Sequence, residues 1–429
     1  MKNTFGMLIS VVLFSLILNS CDKTYEKYTY VANVPVYMTY DDFRDNSKIK
    51  SEAPQALVNP GKIYFKGGKI FISESFKGIH VIDNTDPVNP QKIAFINVPG
   101  NVDIAIKGNI LYADSYVDLL AIDITDINNV MVVKRIEDVF AHSIPPFEKD
   151  YPVAPLDHTK GVVIDWKIEK ITVKEEISNN YYETRWGGWL SEDALLSSGK
   201  DINYFVPNSV GIAGSMARFI IYSDYLYTIN EQDVKIFNIA SLGNPVQGDS
   251  FETTRVIETL FVYNGNLFIG STTGMLVYSL SNPASPTYLS MVDHFKSCDP
   301  VVAQGNYAYV TLRAGSGCGN QSNQLDVIDI SNISSPKLLK SYSMAGPYGL
   351  SIDNNVLFVC DGNDGLKIYD ASDPLKISEN RLSVFPGIHA FDVIPYNYIA
   401  MMIGSDGLYQ YDYHDLENLV LLSTISIEK

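Results

Sequence analysis

Seven copies of one pattern run along this chain, and a chain built that way must stack its copies or close them into a ring. One copy reads Gly108-Asn109-Ile110-Leu111-Tyr112, a short loop, then Leu119-Leu120-Ala121-Ile122-Asp123-Ile124. Another reads Asn355-Val356-Leu357-Phe358-Val359, a loop, then Gly365-Leu366-Lys367-Ile368-Tyr369-Asp370. The residue closing the second apolar run sets the register: Asp83, Asp123, Asn238, Ser279, Asp329, Asp370 and Asp412. The intervals between them are 40, 115, 41, 50, 41 and 42 residues. The interval of 115 is one period plus an insertion of about 74 residues, and the interval of 50 is one period plus a loop longer by about nine.

Each copy holds four short apolar runs between turn residues. In the sixth they are Leu350 to Ile352, Val356 to Cys360, Leu366 to Tyr369 and a weaker run from Leu375 to Ile377 and beyond. Runs rich in β-branched and aromatic residues, bounded by Gly, Asn, Asp and Pro, are strands. Val327-Ile328-Asp329-Ile330 is too apolar for a strand with a wet face, so both faces of the sheets are expected to be covered. Gly108-Asn109, Gly265-Asn266, Gly305-Asn306 and Asn354-Asn355 suit tight hairpins at positive φ. Four strands in about 41 residues is the size of a propeller blade. The expected fold is all-β: a seven-bladed β-propeller with four-stranded blades over 58–429, and one long insertion, 137–215, between blades 2 and 3. Ring closure hides the sheet edges that an open array would expose.

A 46% apolar content and 28 tyrosines support a large β core. The net charge of −17 argues against nucleic acid, whose phosphates favour clustered Lys and Arg, and against electrostatic adhesion to anionic lipid.

Residues 1–20 carry one Lys and an apolar run from Phe5 to Leu18, the pattern of a secretory signal. Leu18-Asn19-Ser20-Cys21 resembles the bacterial lipobox. That resemblance implies cleavage before Cys21, a diacylglycerol on its sulfur and a membrane partner through that lipid. An ordinary cleaved signal with a free Cys21 is the alternative. Residues 21–57 then form a tether and N-terminal extension. The expected address is the bacterial cell envelope, with the outer membrane as the expected membrane. Export permits disulfides. Cys298 precedes the inner strand of the fifth blade, and Cys318 lies in the loop after its second strand, so a Cys298–Cys318 bridge on one face is expected. Three free thiols are the alternative. Cys360 ends a second strand and reads as a small buried thiol.

The repeats resemble the LVIVD-repeat family of secreted and lipoprotein propellers of Bacteroidetes type. The residues that carry this are Gly78-Ile79-His80-Val81-Ile82-Asp83, Leu119-Leu120-Ala121-Ile122-Asp123-Ile124 and Leu325-Asp326-Val327-Ile328-Asp329-Ile330-Ser331. The opening Pro35-Val36-Tyr37-Met38-Thr39-Tyr40 also resembles the stretch before the repeats in such lipoproteins. The resemblance implies a propeller and supplies no reaction. Blade three departs from it, because Val234-Lys235-Ile236-Phe237-Asn238 lacks the acidic closing residue and the leading Gly.

None of the six histidines stands at metal-ligand spacing, and no nucleophile elbow, phosphate loop or dinucleotide fingerprint occurs. No catalytic residue, metal or cofactor is therefore expected. Asp361-Gly362-Asn363-Asp364-Gly365 lacks the distal Glu of a calcium loop and reads as a turn. Aligning the blades places Asp103, Arg218, Glu258, Asp299, Tyr348 and His389 at the face where inner strands begin, around the channel mouth. Glu74, Asp114, Tyr116, Glu231, Arg313 and Asp364 join them from loops after second strands. This mixture could bind a polar ligand or could be a solvated rim.

In the insertion, Gly161 to Ile168 and Lys170 to Val173 alternate like a long hairpin or an extended outer strand. Trp186 and Trp189 follow beside Arg185, the composition of a binding hot spot or of a seal against the propeller wall. Two functions fit. One is a non-enzymatic, lipid-anchored platform for a protein or glycan. The other is an envelope hydrolase or lyase whose site is assembled from several blades at the channel mouth.

Overall fold

The structure is a computed structural model that describes residues 25–140, 143–176, 215, 217–293, 300–314, 323–416 and 418–428, with the backbone alone for 25, 26 and 174–176. Cys21, Trp186, Trp189, Cys298, Asp299 and Cys318 lie outside the described residues.

Seven antiparallel sheets form the larger of two compact units. Their inner strands are Pro60–Lys66, Ile104–Lys107, Phe219–Tyr222, Ile257–Tyr263, Val301–Gln304, Leu350–Asp353 and Ala390–Tyr396. Each sheet runs outward in chain order through three further strands. Third strands such as Gly78–Asp83 and Asp118–Asp123 are buried along all but their last residue, as their unbroken apolar runs require. The core lies between neighbouring blades. Tyr112, Leu119 and Ala121 of blade 2 pack on Phe219, Leu226 and Phe237 of blade 3, for example.

The closing residue of every repeat has one physical role. Its side-chain oxygen accepts the backbone N–H two residues on, at the turn into the outer strand. Asp83 bonds Thr85, Asp123 bonds Thr125, Asp329 bonds Ser331, Asp370 bonds Ser372 and Asp412 bonds His414, at 2.8–3.0 Å. Asn238 and Ser279, which break the acidic pattern, make the same bond to Ala240 at 2.9 Å and Ser281 at 3.2 Å. An oxygen at this position is what the turn needs, and a charge is optional. Each outer strand also carries a register shift against the third strand, which twists the outer part of the blade.

The ring closes without exchanging a strand. Blade 1 takes its four strands from 60–97 and blade 7 from 390–426. Between them Leu57, Ile63, Ile70 and Ile72 pack on Met401, Ile403 and Leu408. Buried Asn84 and Gln410 exchange reciprocal amide bonds of 2.9 and 2.7 Å.

Two sequence expectations need correction. The fourth strand of blade 6 is Arg381–Phe385, while Pro374–Lys376 forms a 3-10 turn capped by Asp373. Pro374 at the start of that turn favours it over a strand. The alternating stretch in the insertion is neither a hairpin nor an outer blade strand. It is one strand, Val162–Glu176, in a two-stranded sheet with Tyr25–Met38.

Most of that sheet falls in the smaller unit, made of residues 1–37, 147–159 and 165–203. Within it, fully buried Asn33 holds the loop after Phe147. Its amide donates to the carbonyls of Glu148 (2.8 Å) and Tyr151 (2.7 Å), and its backbone bonds Pro152 and Ala154. In the larger unit, Lys50–Glu52 adds a fifth strand to blade 1. Arg44, after the short helix Tyr40–Phe43, pairs with buried Asp118 of blade 2. Arg135 reaches the same carboxylate at 3.0 Å.

Candidate functional site

Propeller inner strands all begin on one face, and the chain entering blade 3 is bonded to other blades there. Ser215 Oγ accepts the N–H of Leu350 in blade 6 at 2.9 Å, and its own N–H reaches Asp392 of blade 7 at 3.3 Å. The carbonyl of Ala217 accepts from Leu260 of blade 4 at 2.7 Å. The N–H groups of Arg218 and Phe219 bond Asp103 Oδ2 of blade 2 at 2.6 and 3.1 Å. The chain entering blade 3 is thus hydrogen-bonded to four other blades across the mouth.

Beneath it is a buried charged junction. Lys62 and Asp103, 2% and 1% exposed, form an ion pair of 2.5 Å. Lys62 also donates to the carbonyls of Ile104 (3.1 Å) and Phe219 (3.4 Å). Asp114 Oδ1 accepts from the backbone of Val102 (2.7 Å) and Asp103 (3.0 Å) and from the Asn101 amide (3.0 Å). Burial lifts Asp114 to about 6, with the Arg218 charge opposing. Burial likewise draws Arg218 down, opposed by Asp114 and Asp103. Asp392 is fully buried and is lifted by burial to about 7, against the bonds from Ser215 and the charge of Lys62. Its Oδ2 has no hydrogen-bond partner.

A second cluster spans blades 5 to 7. The Arg313 guanidinium lies 4.0 Å from the centre of the Tyr348 ring. The Tyr348 hydroxyl meets His389 Nε2 at 3.2 Å, and Phe391 packs on both rings at 5.5 and 5.0 Å. His389 stays half-buried, whereas Arg313 and Tyr348 are buried. Burial lowers the imidazole pKa, the Arg313 charge lowers it further and Asp406 opposes. A neutral imidazole beside a stacked cation can exchange hydrogen bonds with a polar surface. Among the described residues no group of His, Cys, Asp and Glu is arranged to hold a metal.

The structure therefore brings the expected rim residues into two groups. Asp103, Arg218 and Asp114 meet at the blade 2–3 junction, and Tyr348, His389 and Arg313 meet at blades 5–7. Glu258 is half-buried at the start of the blade 4 inner strand. Glu74 is buried against His80 at 3.0 Å. Tyr116 packs on Phe43. Asp361 accepts from Ala345 and Gly346 and pairs with Lys367, the bonding of a turn. Cys360 is a buried free thiol. Lys62, Ser215 and Asp392 were not legible as site residues. Lys62 and Asp392 sit at register shifts in their inner strands, and a bulge re-aims a side chain in a way no two-residue period shows.

The family model for the LVIVD repeat matches residues 297–344, which take in the fifth blade. No curated protein matches the chain. Among solved structures the chain is similar to Sqt1 of Saccharomyces cerevisiae, with 10% identity, a TM-score of 0.50 and 89% of each chain covered. It is also similar to Hsv2 of Kluyveromyces lactis, with 10% identity, a TM-score of 0.48, and 89% of this chain and 99% of that one covered. A computationally designed protein, Ika8, gives 10% identity and a TM-score of 0.49, with 89% of this chain and 92% of that one covered. Such likeness concerns the fold alone. The protein is a seven-bladed β-propeller that carries an LVIVD repeat.

Proposed function

We propose that the chain is a lipid-anchored propeller of the bacterial envelope that serves as a non-enzymatic platform for a protein partner on its entrance face. The observation that carries this reading is the hydrogen-bonded crossing of the mouth by Ser215 and Ala217. It favours recognition across the face over entry of a small substrate into the channel. The Arg313–Tyr348–His389 cluster supplies the aromatic and guanidinium chemistry of a hot spot. In this reading Asp299 belongs to that surface, a Cys298–Cys318 bridge pins its edge, and Trp186 and Trp189 contribute their own contacts to the partner. Cys21 carries the lipid that anchors the chain, with the outer membrane as the membrane of this reading.

Two measurements test it. Full-length protein, wild type, His389→Ala and Trp186→Ala/Trp189→Ala, is used to capture partners from envelope extract. A protein held by the wild type and lost from the variants supports the face; identical retention by all three refutes it. Labelled fatty acid entering the wild type but not Cys21→Ala supports the anchor, and equal labelling refutes it.

A further inference from the structure

The turns that join first and second strands lie on the face opposite the entrance. Six are Gly67-Gly68, Gly108-Asn109, Ser223-Asp224, Asn264-Gly265, Gly305-Asn306 and Asn354-Asn355. The seventh is Asn397-Tyr398, with φ of 49° and 63°. A bulky side chain in the left-handed region is sterically disfavoured, and Gly or Asn would serve the turn better. Phe76 and Tyr116 also have positive φ, but both join a core cluster with Phe43 and Val162, which compensates them. Tyr398 is less enclosed, with one edge on buried Tyr413 at 5.7 Å and the rest of the ring outside the core clusters. It is 44% exposed, and Tyr396 before the turn is 57% exposed.

Both rings are nevertheless held in place. Tyr396 packs on Phe65 at 4.6 Å. Tyr398 stacks on His414 at 4.4 Å and 23°, and His414 is fixed by Asp412 at 2.7 Å. Among the described residues neither phenol hydroxyl makes a hydrogen bond. Strain kept at an exposed, oriented aromatic points to function.

We propose that this tip of blade 7 is a carbohydrate-stacking site for an uncharged pyranose chain. Phenol faces suit the C–H side of a pyranose ring, and the exposed Asn397 amide and the two hydroxyls suit its OH groups. Because Tyr396, Asn397 and Tyr398 are all exposed, the ligand lies across the rings. The net charge of −17, with Asp412 close by, disfavours uronates and sulfated sugars. This site does not rest on the entrance-face reading.

The test is calorimetric titration of the full-length chain, in a sugar-free detergent, with cellohexaose, chitohexaose and mannohexaose. We expect at least one to bind, Tyr396→Ala to weaken it tenfold or more, and Tyr398→Asn to do the same with an equal or higher Tm. The site is refuted if none of the three binds or if binding survives both substitutions. A Tm lowered by several degrees in Tyr398→Asn would also overturn it, because Tyr398 would then be a packing residue.

Discussion

The blade 2–3 junction and the blade 5–7 cluster start from similar residues at similar places, and they end differently. At the junction Asp103 is consumed: Lys62 takes one oxygen, and the N–H groups of Arg218 and Phe219 take the other. At blades 5–7, Arg313 stacks on Tyr348, and the His389 ring stays half-buried with a lowered pKa. The difference is burial. A carboxylate with full neutralisation and backbone donors is part of the ring's structure, whereas a half-buried imidazole bonded to the Tyr348 hydroxyl can still meet a ligand.

The largest expected effect falls at the junction. Lys62→Met leaves the Asp103 charge buried without its cation, so denaturant unfolding should report a loss of about 3–5 kcal/mol. A loss under about 1 kcal/mol would break the contrast.

Next comes Asp392→Asn. The carboxyl is lifted to about 7, above its unfolded value of about 3.9. Between those values the folded state keeps a proton that the unfolded chain has released. Its stabilisation is therefore full below about 4 and is lost as pH rises through about 7. The wild type should weaken from pH 5 to pH 8. Asp392→Asn should flatten that slope and gain on the order of 2 kcal/mol at pH 8. Asp114, lifted to about 6, leaves a smaller slope of the same sign. A steeper slope in the variant would refute this.

A third substitution sets the local scale. Asp123→Ala removes the turn bond to Thr125 and should cost about 0.5–1 kcal/mol in thermal or chemical unfolding. The smallest effect on stability is expected at the open cluster. His389→Ala should stay within about 0.5 kcal/mol of wild type while losing the entrance-face partner. A large destabilisation would make the two regions alike.

The blades were legible because their signal is local. Each closing Asp, Asn or Ser bonds a backbone two residues away, so the repeat shows in the chain whatever surrounds it. The positive-φ hairpins are local in the same sense: Gly108, Gly265 and Gly305 adopt the conformation their composition suits. The rim was half legible. Alignment placed Tyr348 and His389 together, but it could not reveal that Asp103 is enclosed, because its partner Lys62 sits in another blade at a bulge.

By itself, then, the sequence determined the number of blades, the position of the long insertion and several of the hairpin turns, through patterns that repeat within a few residues. Only the tertiary structure decided that Tyr25–Met38 pairs with Val162–Glu176, that the ring closes through Asn84 and Gln410, and that Ser215 crosses the channel mouth. Those contacts join residues more than a hundred positions apart. Their free energy comes from excluding water around partners that no local pattern identifies.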